Sequence, residues 1–293
     1  MKGSHGYVTG VGGIRLHYRC WEVSKPRGLV IVVHGIGEHS GRYERLAHDF
    51  ARAGLSTYAL DHRGHGRSDG RRGHVRRFTN YLQDLERLRR LAVGTVGEEV
   101  PLVWLGHSLG GLVLARYLQE YPGVQARGAV FSAPLMGLVM EIPQWQEVLA
   151  NLLYYAAPAL PMSTGLPPEY LSHDREVVEA YMRDPLVHDR ITPRTYGEIK
   201  REIEVAYRKV SLLTLPMLFL IPSEDKIVRP DLMHQFAVKL GRSKNVRVDT
   251  LAGLYHEVLN ETVRSSVVAD VLGWIERRIA VYSRPSNGSE AAG

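Results

Sequence analysis

Residues 101–121 read PLVWLGHSLGGLVLARYLQEY, and this stretch decides the fold. The apolar run Val103-Trp104-Leu105 predicts a strand, and the apolar spacing from Gly111 to Tyr121 predicts a helix. Between them, Gly106-His107-Ser108-Leu109-Gly110 has the pattern G-x-S-x-G, which is typical of a sharp strand-to-helix turn with an exposed serine hydroxyl. Both glycines of the motif leave room for neighbouring backbone in so tight a turn. The stretch therefore predicts a nucleophilic Ser108 at the end of a central strand.

Strands and helices alternate along most of the remaining chain. Leu29–Val33 is a continuous apolar run, typical of a strand covered on both faces, and Ile14–Trp21 alternates as an edge strand of an antiparallel pair does. We therefore predict an α/β fold with a mostly parallel central sheet and helices on both faces. The other predicted elements are strands over 55–60, 101–105, 129–132, 217–221 and 246–251, and helices over 43–53, 79–93 (capped by Thr79), 232–240 and 262–282.

The alternation stops between Gly137 and Lys209, where helical patterns and prolines occur without a convincing strand. We predict an α/β core over 1–136 and 210–282, a helical cap inserted at 137–209, and a small, polar, disordered tail at 283–293. Within the cap, VLANLLYYAAPAL (148–160) is nearly all apolar but shorter than the ~20 residues that span a bilayer. It is either a helix buried against the core or an apolar lid surface that contacts membranes.

Composition limits the classes of partner. The chain has 293 residues, a net charge of +6 and a pI of about 9.4. Its positive charges are scattered and accompany no nucleic-acid motif, so we predict no nucleic-acid partner. Arginine outnumbers lysine thirty to seven, and there are only five Asn and six Gln. This composition fits a thermophilic source or a GC-rich genome equally well. The oligomeric state is left open by the sequence.

Cys20 is the only cysteine, which excludes an internal disulfide and a cysteine metal cluster. The first thirteen residues lack the apolar core of a signal peptide, so we expect a cytoplasmic protein, either free or peripheral to a membrane. The pairs His34/His39 and His62/His65 lack the spacing of a zinc motif, and we predict neither a metal nor a cofactor.

A serine hydroxyl needs a base, usually a histidine that a carboxylate orients. After a strand-turn-helix serine, the acid and then the histidine follow later strands. Asp225 follows the apolar run 217–221, and His256 follows the last predicted strand. Glu224, next to Asp225, is the alternative acid, whereas Asp231 lies at a predicted helix start.

The same arrangement requires two backbone N–H groups that stabilise the developing oxyanion. We predict that one belongs to Leu109, the residue after the nucleophile. The other should come from the loop His34-Gly35-Ile36-Gly37 that follows the strand Leu29–Val33, with Ile36 as the donor.

Seven segments from about Tyr7 to Ile279 resemble monoacylglycerol lipases and lysophospholipase-like serine hydrolases. They are HGIGEHSGRY (34–43), DHRGHGRSDGRRGHV (61–75), GHSLGG (106–111), SAPLMG (132–137), DPLVH (184–188), SEDKIV (223–228) and YHEVLNE (255–261). The resemblance implies an α/β-hydrolase fold, a cap that admits acyl chains, the triad Ser108, Asp225 and His256, and oxyanion donors at Ile36 and Leu109. It also implies that Glu38 and Arg42 line the glycerol end of the site, unless they form a salt bridge that holds their loop. Mammalian relatives carry a second histidine where this chain has Leu259.

The sequence thus favours a carboxylester hydrolase that cleaves monoacylglycerols to glycerol and fatty acid through an acyl-enzyme on Ser108. A cap over the strand ends would enclose an apolar tunnel, with walls from 134–139 and 148–160, that admits one acyl chain. The alternatives are a general esterase or lysophospholipase, an iminopeptidase-type peptidase, and a non-catalytic binding protein. The expected partners are a small lipid ester and, transiently, a membrane surface in contact with the cap.

Overall fold

The computed structural model describes residues 2–137, 144–241 and 245–280. Its strands are β1 (Lys2–Thr9), β2 (Arg15–Glu22), β3 (Gly28–Val33), β4 (Leu55–Leu60), β5 (Leu102–His107), β6 (Gly128–Ser132), β7 (Met162–Ser163), β8 (Arg190–Ile191), β9 (Met217–Pro222) and β10 (Val246–Leu251). Eight of them form one sheet in the order β1-β2-β4-β3-β5-β6-β9-β10, and β7 pairs with β8 apart from it. Strand β2 is antiparallel to both of its neighbours, and all other adjacent strands of the sheet are parallel.

Helices cover both faces of this sheet. Val30 and Val32 of β3 pack in one buried cluster with Trp274, whereas Ile31 packs in a second cluster with Leu112 on the opposite face. Because successive side chains of a strand point to opposite faces, a strand buried on both sides is apolar throughout. The predicted α/β-hydrolase fold is confirmed. The helices are α1 (Glu44–Arg52), α2 (Thr79–Val96), α3 (Leu109–Glu120), α4 (Gln144–Ala156), α5 (Arg175–Arg183), α6 (Pro193–Arg208), α7 (Pro230–Lys239) and α8 (Arg264–Ala280).

Two local expectations are wrong. Strand β2 is not an edge strand, because β1 pairs with it along its whole length, from Lys2 opposite Glu22 to Thr9 opposite Arg15. The polar and glycine-rich sequence of β1 gives no apolar alternation, since most of its side chains are exposed. Thr79 is also not a cap but the first residue of α2. The preceding Phe78 N–H donates to Oε2 of Glu198 on α6 at 2.7 Å, so a residue distant in the sequence satisfies this helix end.

The chain between β6 and β9 contains α4, α5, α6 and the short β7–β8 pair, whose two-residue strands are too brief to give a sequence pattern. Helix α6 packs on α3, where Arg116 Nε donates to Glu202 Oε2 at 2.7 Å in a buried ion pair. The predicted tail and residues 138–143 lie outside the described residues. None of the described helices combines the length and hydropathy that a membrane span requires.

Candidate active site

Ser108 occupies the turn between β5 and α3 with φ 52° and ψ −121°. The left-handed region is costly for a residue with a side chain, and such strain is typical of functional turns. A Cβ on Gly106 would lie 2.7 Å from the carbonyl oxygen of Gly110, and a Cβ on Gly110 would collide with the carbonyl oxygen of Val33. The sequence pattern therefore corresponds to the tight turn that it predicts.

Asp225 and His256 lie in the loops that follow β9 and β10, and their side chains meet. His256 Nδ1 donates to Asp225 Oδ2 at 2.7 Å, and both residues are buried. The other carboxylate oxygen accepts the N–H groups of Ile227 and Val228 at 2.8 and 2.9 Å. A carboxylate held in this way fixes the imidazole in the tautomer that leaves Nε2 free to accept a proton.

The two groups shift each other's proton affinity. Burial opposes the charged form of His256, but the Asp225 carboxylate outweighs burial and raises the pKa of His256 above its ordinary value. Burial also raises the pKa of Asp225, yet the charge and hydrogen bond of His256, together with two backbone N–H groups, lower it overall. Asp225 is therefore ionised at neutral pH, and His256 is basic enough to take a proton from a hydroxyl.

The two alternative acids lie elsewhere. Glu224 is exposed, and Asp231 forms an exposed pair with Arg229 at the start of α7, with Nη2 2.6 Å from Oδ2. The structure therefore brings Asp225, and neither alternative, to the imidazole of His256.

The loop after β3 contains the predicted oxyanion donor Ile36, next to Gly35. The Gly35 N–H donates to Glu38 Oε1 at 2.6 Å, so it is not free to bind a substrate oxygen. Among the described residues, the N–H groups of Ile36 and Leu109 have no protein acceptor. Ile36 lines the same cavity as Ser108, and Leu109 begins α3, where the first N–H groups of a helix are unpaired. The geometry is compatible with the two predicted oxyanion donors.

A cavity opens onto Ser108 and His256. Its other lining residues are the polar Glu38, His107, Tyr181 and Glu257 and the apolar or small Gly35, Ile36, Leu166, Pro167, Pro168, Leu171 and Ile227. Among the described residues, neither of the predicted tunnel walls, 134–139 and 148–160, contributes to this lining. The apolar wall comes instead from the segment between β7 and α5. The proline-rich sequence of that segment has no amphipathic period that would have indicated it.

Glu38 and Arg42 form a salt bridge, which is one of the two roles predicted for them. A second acid, Glu257, also binds Arg42, and the sequence did not indicate it. Arg42 Nη1 donates to Glu38 Oε2 at 3.1 Å, and its two terminal nitrogens donate to Glu257 at 2.5 and 2.8 Å. Glu38 and Glu257 line the cavity, whereas Arg42 lies behind them. The position of Glu257, directly after His256, is the one signal that could have singled it out.

Three buried histidines and one half-buried histidine support the loop that carries Ile36. The rings of His34 and His62 are 4.2 Å apart, and those of His65 and His188 are 4.7 Å apart. His34 Nδ1 donates to the Gly35 carbonyl oxygen, while its Nε2 accepts the His62 N–H at 2.9 Å, so this ring is neutral. Burial lowers the pKa of His34 to about 4. The described residues offer no group of three metal-ligating side chains here.

Comparison with known proteins identifies the family of the chain. The family described as "Serine aminopeptidase, S33" matches residues 24–263. The chain belongs to this hydrolase family. It is 35% identical to a monoacylglycerol lipase of Mycolicibacterium smegmatis, over 94% of this chain and 97% of the relative. It is 27% identical to a phospholipase of Bacillus subtilis, over 84% of this chain and 94% of the relative.

Among solved structures, the monoacylglycerol lipase of Paleococcus ferrophilus superposes with a TM-score of 0.81 at 31% identity. The alignment covers 90% of this chain and 99% of the other. The resemblance to monoacylglycerol lipases, the α/β-hydrolase fold and the assignment as a serine hydrolase of carboxylic esters are thereby confirmed.

Proposed function

We propose that this protein cleaves monoacylglycerols to glycerol and a free fatty acid through an acyl-enzyme on Ser108. The observation that carries the proposal is the 2.7 Å bond between Asp225 and His256 beside a strained serine, at a cavity with one apolar wall. In this proposal the acyl chain lies against the apolar lining residues Leu166, Pro167, Pro168 and Leu171, and the polar alcohol lies near Glu38.

The chemistry proceeds in two acyl transfers. His256 Nε2 takes the hydroxyl proton as Ser108 Oγ attacks the ester carbon, and the N–H groups of Ile36 and Leu109 stabilise the resulting oxyanion. As the ester C–O bond breaks, His256 returns the proton to the leaving alcohol oxygen. A water then gives a proton to His256 and attacks the acyl-enzyme. As the bond between Ser108 Oγ and the acyl carbon breaks, His256 returns that proton to Oγ, which releases the fatty acid and regenerates the serine. Asp225 remains ionised and holds the imidazole throughout.

Two observations are reasons to assay other ester and amide substrates as well. One similar relative is a phospholipase, and the family description refers to aminopeptidases. Carboxylates that line a cavity can accept hydrogen bonds from the hydroxyls of glycerol or from a free α-ammonium group. Leu259 is buried three residues after His256, so no second imidazole reaches the alcohol from that position. Hydrolysis of lysophospholipids is the second candidate function.

A hydrolysis panel tests the proposal. It contains 1- and 2-monoacylglycerols from C6 to C18, a triacylglycerol, a lysophospholipid, a p-nitrophenyl ester and prolyl-p-nitroanilide. We expect the largest kcat/KM on a monoacylglycerol. A larger value on lysophospholipid or on the prolyl anilide would assign the site to those substrates instead.

We further propose that residues 137–209 act as a cap whose helix α4 contacts lipid surfaces. Trp145, Leu152 and Tyr155 are 65%, 63% and 79% exposed and recur at helical spacing with Val148 and Leu149, which are also exposed. A contiguous apolar face in water is unfavourable, and substrates of this class reside in bilayers and micelles. Leu153 and Tyr154, which belong to the same apolar run, are half-buried, and the Tyr154 hydroxyl donates to Glu198 Oε1 at 2.8 Å.

A further inference from the structure

Three charged side chains form a buried cluster at the cavity wall. Arg42 binds both carboxylate oxygens of Glu257, at 2.5 and 2.8 Å, and one oxygen of Glu38 at 3.1 Å. Each of the three side chains is at most 10% exposed. Tyr43 and the Gly35 N–H complete the hydrogen bonding of Glu38 at 2.8 and 2.6 Å. One guanidinium is therefore shared by two carboxylates.

The cluster carries an uncompensated negative charge. Burial raises the pKa of each carboxyl, but Arg42 outweighs burial, so the pKa of Glu38 and that of Glu257 lie below their ordinary values. Both acids are ionised at neutral pH, and among the described residues Arg42 is the one cation that pairs with them. The adjacent His107 adds no positive charge, because burial and the nearby His256 lower its pKa. Asp225 supplies a second negative charge whenever His256 is neutral.

This charge lies next to the reacting atoms. Glu38 and Glu257 line the cavity with Ser108, whereas the guanidinium of Arg42 is turned to the two acids and does not line it. A methyl group on Gly35 would lie 3.0 Å from Glu38 Oε1 and 3.2 Å from Ser108 Cβ, which shows how close the carboxylate is to the nucleophile. A ligand in the cavity therefore meets carboxylates without meeting their cation.

We infer that Glu257 is a specificity residue: by occupying Arg42, it leaves the cavity wall net negative and makes the site reject esters whose alcohol carries a phosphate. The inference rests on the proposed ester hydrolysis and narrows its substrates to esters of uncharged alcohols. An anionic head group in this cavity would lose its hydration without forming an ion pair with a cation, and this desolvation is costly in a low-dielectric site. Uncharged hydroxyls, in contrast, can donate to the carboxylates. Discrimination by repulsion of this kind is a common source of specificity.

The test uses two soluble esters that differ only in one phosphate, 1-octanoylglycerol and 1-octanoylglycerol 3-phosphate, both below their micellar concentrations. We expect the wild-type enzyme to favour the neutral ester by at least about a hundredfold in kcat/KM, since the phosphate adds nearly two charges. Glu257→Gln should narrow this ratio by about tenfold, because it removes one charge of the wall. Glu261→Gln, which removes a buried carboxylate that does not line the cavity, should leave the ratio unchanged.

A double variant separates charge from structure. Arg42→Gln combined with Glu257→Gln leaves Glu38 as the only charge of the cluster and so restores one net negative charge. The ratio should return toward the wild-type value, although two interactions are lost. An unchanged ratio in folded Glu257→Gln, or a double variant whose ratio is as narrow as that of the single variant, would overturn the inference.

The proposed function is tested in the same assay. If the wild-type enzyme hydrolyses neither octanoylglycerol nor p-nitrophenyl octanoate, the proposed function is wrong and this inference is wrong with it. If it hydrolyses both glycerol esters equally well, only the charge inference is overturned.

Discussion

The Nδ1 atom of His256 lies 2.7 Å from Oδ2 of Asp225, although the two residues are 31 positions apart in the chain. Parallel strands β9 and β10, paired from Met217 opposite Val246 to Pro222 opposite Leu251, bring their loops to the same edge of the sheet. Ligand sites of open α/β sheets lie outside the carboxyl ends of the strands, and Ser108 follows β5 at this edge.

Asp225→Asn should lower kcat by about 10⁴, because an amide can no longer fix the tautomer that presents Nε2 to the serine. The matched control is Glu224→Gln, which changes the neighbouring exposed acid and should alter kcat less than twofold. Steady-state kinetics on p-nitrophenyl octanoate measures both variants. A larger loss in Glu224→Gln would move the acid to that position.

The pH dependence of kcat/KM should report the state of His256. The imidazole acts as a base only when neutral, and its pKa lies above the ordinary 6.5, so activity should rise through a midpoint above pH 6.5. The negative charge of Glu257 contributes to that raised pKa, so Glu257→Gln should shift the midpoint to lower pH. A shift to higher pH would contradict the proposed electrostatics, and Glu261→Gln serves as the control.

Acid should destabilise the fold before the carboxylates titrate. The pKa of His34 is about 4 in the folded protein and 6.5 when unfolded, so the unfolded chain binds the extra proton between these values. Stability is complete above about pH 6.5 and falls toward pH 4, by about 3 kcal/mol from this residue alone. Urea unfolding at several pH values measures the slope, and His34→Asn should flatten it. A slope unaffected by this substitution would exclude His34 as its source.

Removal of the exposed apolar face of α4 should weaken lipid binding. Trp145→Ser combined with Leu152→Ser should reduce flotation with liposomes while hydrolysis of soluble p-nitrophenyl esters remains unchanged. Val238→Ser on α7, which removes an equally exposed apolar side chain elsewhere, should bind as the wild type does. Equal flotation of all three proteins would exclude α4 as the contact surface.

The elements that local pattern specifies were predictable. An apolar strand, two glycines and an apolar helix around Ser108 define the turn, and continuous apolar runs define β3 and β9. Such features depend on residues that are adjacent in the sequence, so a local sequence pattern predicts them. Asp225 and His256 were predictable as well, because each directly follows a strand that the local pattern predicts.

Features that depend on distant partners were not predictable. Strand β1 is held by backbone hydrogen bonds to β2. Backbone pairing requires no particular side chains, so the polar sequence of β1 does not indicate a strand. Glu257 meets Arg42 across 215 positions, and the Phe78 N–H is satisfied by Glu198 of another helix. The run 148–160 divides into exposed and half-buried side chains because only one side of α4 packs on α6.

The most direct test of the account is the release of fatty acid from 1-monoacylglycerol by the wild-type enzyme and by Ser108→Ala, with fluorophosphonate labelling of both proteins. We expect the wild type to be labelled at Ser108 and to release fatty acid, and the folded variant to lose labelling and at least 10⁴ in kcat. A Ser108→Ala protein that keeps more than a tenth of the wild-type rate, or a wild type labelled at another residue, would contradict the central claim.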